Sequence, residues 1–200
     1  MIKINNNFFL LIASFLLNSC GLPYCIKTPL DEKDMEWLNI KEGNYIFESL
    51  ETNFFDTVQI SSSQIFNPSN EFIFDLRGCN CWEGDNKFNG IALIDFAIIN
   101  KNEKGGFQIR KDSKGKPACQ TIWLAGFFEN NWTNHNLLQF KLNEMILDDC
   151  IVADTSNSSK STYCNYVTIS KIVWSKSLGL VYYEYENGDK YQRIFDYEVK

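Results

Sequence analysis

The chain predicts a mainly β domain over residues 35–200: an antiparallel sandwich, half-barrel or barrel with at most one or two short helices. Three observations predict it. About nine or ten short stretches either alternate apolar and polar residues or run apolar for a strand's length. Turn residues separate them roughly every ten positions, as in all-β folds. Helical periodicity is thin. Aromatic residues make up 15% of the chain, and open sheet edges would be a liability at that content, so closure or a covering helix is expected.

Taken in order, residues 20–34 hold the anchor residue Cys20 and a tether, with Pro23 and Pro29 and little periodicity. A tether reaches about 3.3 Å per residue. Asp31 opens a short helix over residues 31–38, as its cap with Asp34 three positions on. Residues 45–50 (YIFESL) and 57–60 (TVQI) are strands flanking a hairpin-like pair, Thr52-Asn53. Residues 72–76 (FIFDL) form a strand ending at Gly78. Residues 91–99 (IALIDFAII) form another between Gly90 and Asn100. Residues 107–110 alternate cleanly. Residues 121–128 (TIWLAGFF) read as one apolar strand with a bulge at Gly126. Residues 138–142 (LQFKL) alternate, although 137–149 as a whole also carries a rough 3–4 spacing, so helix is the alternative there. The last candidates are residues 166–174, 180–185 and 191–197. Asn187-Gly188 joins the final two as a type I′ hairpin, whose central residues both need positive φ.

The N-terminus is of another kind. Residues 1–7 carry one charge, Lys3, and residues 8–17 (FFLLIASFLL) carry none. Ten apolar residues are too few to span a bilayer, which needs about 20. A charged start and a short apolar run make a removable secretory signal over residues 1–19. The run closes on Leu17-Asn18-Ser19-Cys20, which resembles the lipobox of bacterial lipoproteins. The resemblance implies that Cys20 becomes the lipidated first residue. One acyl chain binds marginally and two anchor stably, so the partner at this end is the lipid bilayer. Gly21 follows, and the first acid is Asp31. In such lipoproteins that pattern implies an outer-membrane address facing the periplasm.

Beyond Cys20 stand Cys25, Cys79, Cys81, Cys119, Cys150 and Cys164. An even number in an exported chain reads as disulfides. A local Cys150–Cys164 bridge is favoured, because the polar segment 151–163 separates two candidate strands. If those strands are antiparallel neighbours, the ends sit within the ~4.4–6.8 Å Cα separation a disulfide needs. The competing pairings send Cys150 or Cys164 to Cys119 or to Cys79 and Cys81, while Cys25 pins the tether. Cys79-Asn80-Cys81 as a zinc or redox pair is the weaker reading, since an exported chain favours disulfides and no helix start is evident there.

Residues 171–196 (KIVWSKSLGLVYYEYENGDKYQRIFD) resemble the C-terminal stretch of small outer-membrane lipoproteins of Bacteroidota. The matching residues are Trp174, Ser175, Lys176, Gly179, Leu180 and Val181. The resemblance implies a β-rich domain and a terminal hairpin, and no activity. Asp56-Thr57-Val58 fits the three-residue O-glycosylation pattern of the same phylum, which makes Thr57 a candidate acceptor.

Nineteen basic against 25 acidic residues give a net charge of −6. Phosphate binding needs clustered Lys and Arg, so nucleic acid is not an expected partner. The one histidine, His135, lies in a polar stretch, and no nucleophile motif accompanies it. No catalytic residue, metal or cofactor is expected. Acidic residues such as Asp148, Asp149, Glu32, Asp34 and Glu36 read as a solvated face, and Trp82, Trp123, Trp132, Trp174, Tyr182, Tyr183 and Tyr185 as core before ligand lining. The expectation is a non-catalytic binding or accessory component that meets an apolar ligand or an envelope protein. The alternative is a hydrolase with a carboxylate site.

Overall fold

The protein is described by a computed structural model over residues 26–68, 87–130, 137–155 and 168–195. The architecture is a curled antiparallel half-barrel, mainly β with one short α-helix. The strands are β1 (Ile26–Thr28), β2 (Gly43–Ser49), β3 (Phe55–Phe66), β4 (Lys87–Ile98), β5 (Glu103–Lys111), β6 (Cys119–Leu124), β7 (Phe127–Asn130), β8 (Leu138–Leu142), β9 (Met145–Asp154), β10 (Ile169–Ser175), β11 (Gly179–Tyr185) and β12 (Lys190–Arg193). Helix α1 is Glu32–Met35, followed by a 3-10 turn at Glu36–Leu38.

The sheet runs β7-β6-β5-β4-β3-β2-β12-β11-β10-β9-β8, so two meanders meet where β2 pairs with β12. Only β1 is parallel, against the start of β4. Curling brings distant strands face to face. Five strands separate β5 from β10 in the sheet, yet Phe107 stacks on Trp174 with ring centroids 4.4 Å apart. Phe96, Ile94, Ile109, Ile122 and Phe47 fill the concave side around them. Burial of each such side chain contributes about 1.5–3 kcal/mol. Leu30, Trp37 and Leu38 from the α1 region join this core. Two glycines of β5 let it close: a Cβ on Gly106 would stand 2.1 Å from the Trp123 ring, and one on Gly105 2.5 Å from the Phe96 ring.

A second core lies on other side chains of the same strands. Leu142, Leu147, Cys150, Val173, Val181 and Tyr182 pack together there, with Phe140 and Val152. Val173 sits between Ile172 and Trp174 of the first core, as strand alternation requires.

Several expectations need correction. Residues 26–34, assigned to the tether, belong to the fold. Thr28 donates to the Lys111 carbonyl at 2.8 Å, and Asp31 caps α1 with the expected reciprocal bonds to Asp34, both 3.0 Å. The run 121–128 is not one bulged strand. Ala125 (φ 46) and Gly126 (φ 83) both adopt positive φ and make a two-residue hairpin, as a type I′ turn demands. At Asn187-Gly188 only Gly188 is left-handed (φ 95). Asn187 instead accepts the Asp189 N–H at 3.1 Å, giving a longer loop. The strand expected at residues 138–142 is met as β8, and the helical alternative over 137–149 is not adopted, because the chain turns at Asn143 (φ 54) into β9.

The Cys150–Cys164 bridge is also not met. Among the described residues no disulfide is formed, and Cys150 carries a free, fully buried thiol. The expectation took the polar loop to begin at Cys150. Instead Cys150 lies inside β9, opposite Ser175, four residues before the strand ends at Asp154, and packs in the second core. Cys119 is buried at the start of β6. Cys20, Cys25, Cys79, Cys81, Cys164, His135, Trp82, Trp132 and strand candidate 72–76 lie outside the described residues.

Candidate functional site

The turn between β4 and β5 builds the most chemically unusual cluster. Ile99–Lys101 forms a single 3-10 turn, and Asn102 (φ 53) reverses the chain by donating to the Ile99 carbonyl. Asn tolerates this left-handed geometry better than most residues. The Asn100 side chain then ties the turn to β3. It accepts the Thr57 N–H at 3.2 Å and donates to the Phe55 carbonyl at 3.2 Å and to Asp56 Oδ1 at 2.6 Å.

Asp56 is a carboxylate with 2% of its surface exposed. A buried charge is tolerated only when paired and hydrogen-bonded. Asn100 serves Oδ1. Oδ2 accepts the Tyr183 hydroxyl at 2.5 Å and lies 2.8 Å from Lys101 Nζ. The ammonium also sits over two aromatic faces, 4.2 Å from the Tyr185 centroid and 3.9 Å from that of Tyr191. Such cation–π contacts contribute about 0.5–2 kcal/mol. The three tyrosines brace one another: Tyr183 and Tyr191 stack at 5.1 Å, and Tyr185 meets both edge-on.

Glu103 completes the group, accepting the Tyr185 hydroxyl at 2.5 Å. Burial pushes its carboxyl above the ordinary 4.5, outweighing the Tyr185 bond and the pull of Lys101, and the Asp56 charge adds to the rise. The Tyr183 and Tyr185 hydroxyls are pushed far up, first by burial and then by Asp56 and Glu103 respectively. They are permanent donors at any physiological pH. The cluster therefore combines a locked carboxylate, an ammonium in an aromatic box and a carboxyl raised above its ordinary range by burial. Beside it lie exposed apolar tips: Leu50 and Phe54 between β2 and β3, Phe55 at the start of β3, and Ile99 on the turn. Phe54 is 72% exposed.

The acidic residues singled out in the sequence do other work. Asp31 and Asp34 both hold Lys111 Nζ, at 2.6 and 2.7 Å, and dock α1 on the end of β5. That hydrogen bond from Lys111 keeps the Asp31 carboxyl low. Glu36 pairs with Lys176. Burial raises Asp149, but bonds from the Ser177 and Ser175 side chains and the Ser177 N–H outweigh it and hold the carboxyl below 3.8. Asp149 thereby clamps the β10–β11 turn, with Ser175 Oγ and Ser177 N each at 2.8 Å. Ser175, which ends β10, and Lys176, in the turn, thus serve the β10–β11 connection. Trp174, Tyr183 and Tyr185 are core, Tyr182 belongs to the second core, and Trp123 is half-buried. Thr57 is half-buried between buried Asp56 and Val58. Among the described residues no group of three or more His, Cys, Asp and Glu is placed to hold a metal, and no helix is long and apolar enough to cross a membrane.

Sequence reasoning missed Asp56, Lys101 and Glu103. The available signal was Tyr183, Tyr185 and Tyr191 on one face of a hairpin, whose hydroxyls need acceptors once buried. No protein-family model matches the chain, and neither does any curated protein or solved structure.

Proposed function

We propose that the protein is an acyl-anchored, non-catalytic binding or accessory component of the outer membrane, facing the periplasm and presenting its apolar tips to an envelope protein. The observation that carries this reading is the polarity of β4. Ile26, where the chain from Cys20 enters the fold, pairs with Lys87 at one end. Phe55 and Ile99 lie at the other, beyond Ile98. Twelve strand residues separate the ends by on the order of 40 Å. An anchor at Cys20 thus leaves Phe54 and Phe55 pointing away from the bilayer. The concave face is filled by Trp174, Phe107 and their neighbours, which favours a protein partner over an apolar ligand. Mass spectrometry of the membrane fraction tests the anchor, with a mature N-terminus at acylated Cys20 expected and release by Cys20→Ser. A soluble mature chain beginning elsewhere refutes it. Phe54→Ser with Phe55→Ser tests the tip: it should abolish a cross-linked adduct formed from a photo-reactive residue at Thr52.

One observation favours the alternative of a carboxylate-site hydrolase: Glu103 has a raised pKa and lies within electrostatic reach of Asp56. Both Asp56 oxygens are already held by donors, which speaks for a structural role. Hydrolysis of a glycoside panel that Glu103→Gln abolishes without loss of folding would establish the enzyme.

A further inference from the structure

We propose that Lys101 and Asp56 join covalently, the amine condensing with the carboxyl to an intramolecular amide that ties the β4–β5 turn to the start of β3. The inference is independent of any anchor or partner. Its basis is the geometry of the cluster. Lys101 Nζ lies 2.8 Å from Asp56 Oδ2, which holds the amine in contact with the carboxyl it would attack, as proximity catalysis requires. Both groups are held. Asn100 and Tyr183 fix the carboxylate, and the Tyr185 and Tyr191 faces cradle the ammonium. Low local dielectric disfavours keeping them as separated charges, and the amide is neutral.

The reaction closes on these groups alone. A C–N bond forms between Nζ and Cγ, and the Cγ–Oδ2 bond breaks. The ammonium gives up two protons, and Oδ2 takes both and leaves as water. Nothing is oxidised or reduced. Asn100 Nδ2, 2.6 Å from Oδ1, stabilises the charge that grows there as Nζ adds. Tyr183 donates to Oδ2 and favours its departure. Glu103 is the group placed to relay the protons: burial holds its carboxyl above the ordinary range, and its charge is coupled to both Lys101 and Asp56. Lys101 is 27% exposed, which leaves the expelled water a way out.

Lys111, which is buried, makes a useful contrast. Lys111 is equally close to Asp31 and Asp34. There the hydrogen bond from Lys111 holds the Asp31 carboxyl low, and among the described residues no aromatic ring faces the amine as Tyr185 and Tyr191 face Lys101. Condensation is expected at Lys101 and not at Lys111.

Intact-mass measurement of the folded, then fully denatured and reduced chain tests the proposal. The expected mass is that of the sequence less one water. Trypsin should leave peptide 42–77 joined to peptide 88–104, with cleavage after Lys101 blocked. Glu103→Gln keeps an acceptor for Tyr185, and Lys101→Arg keeps the charge. Both should fold, shown by an unchanged circular dichroism spectrum, and both should have their full sequence mass. A parent chain at full sequence mass overturns the proposal, as does a water loss that persists in Lys101→Arg.

Discussion

Replacing Tyr183 by Phe removes one donor from a buried carboxylate and leaves the packing shape intact. The hydroxyl gives Asp56 Oδ2 a bond of 2.5 Å, while the ring stays between Phe47 and Tyr191. Hydrogen bonds to charged groups contribute about 1.5–3 kcal/mol. Asp56 keeps Asn100 at 2.6 Å and Lys101 at 2.8 Å, so the loss falls toward the lower end, about 2 kcal/mol. Tyr185→Phe is the matched control. Its acceptor Glu103 is only half-buried, so solvent compensates more of the loss, which is expected to be about 1 kcal/mol. In a chain of this size 1 kcal/mol shifts the thermal midpoint by about 2–4 °C. Tyr183→Phe should therefore lower Tm by about 4–8 °C and Tyr185→Phe by about half as much. Thermal unfolding followed by circular dichroism reads both. The measurement belongs in the Lys101→Arg background, where Asp56 stays a carboxylate whatever becomes of the proposed amide. A Tyr183→Phe variant as stable as its parent, or no less stable than Tyr185→Phe, refutes the claim that these donors hold Asp56 in the core.

Three further outcomes test Glu103, Gly106 and Cys150 in turn. Glu103 sits above its ordinary 4.5 in the fold, so the folded chain binds more protons than the unfolded one, and stability falls as pH rises from about 4.5 through the folded value. Glu103→Gln removes that fall, and its Tm relative to the parent should climb over that window; a difference independent of pH counts against it. Gly106→Ala forces a Cβ to within 2.1 Å of the Trp123 ring and should cost about 1–3 kcal/mol as overpacking, read as a lower urea midpoint with unchanged slope. Burial, with Asp149 beside it, pushes the Cys150 thiol up to about 12. It should resist a thiol reagent at pH 8 until the chain is unfolded, and prompt labelling of Cys150 in the native protein would contradict its burial.

The fold was legible because its determinants are local. Alternation over residues 91–99 and 107–110 reflects a sheet with one face in the core, and Asp31 with Asp34 is a capping box whose partners lie three residues apart. The errors fall where a short-range pattern has two readings. An apolar run with one Gly fits a bulge or a hairpin, and what decided 121–128 was Ala125 accepting positive φ, which its residue type does not advertise. The Cys150 error is of the same kind. Spacing made the loop look closed, but the loop's true ends depend on where β9 stops, and β9 runs on to Asp154 because Ile151 and Ala153 are apolar enough to stay in the first core.

The cluster was illegible for the opposite reason. Asp56 and Tyr183 are 127 positions apart, and they meet only because β2 pairs with β12 and so joins the two meanders. Nothing within ten residues of Asp56 marks it as different from the solvated acids on either side. What distinguishes it is register. Asp56 stands opposite Phe47, on the inward face, where an unpaired carboxylate would be expelled. A buried acid in that position is informative in itself: its retention requires donors from elsewhere, and the tyrosine-rich hairpin at residues 179–193 is the richest source of buried hydroxyls in the described chain. The three tyrosines thus predict an inward-facing acid on a strand their hairpin pairs with or approaches. Glu48 follows inward-facing Phe47 and so lies on the other face of β2, where it binds Gln192, which leaves Asp56 and Glu103, the acids the structure brings to the tyrosines.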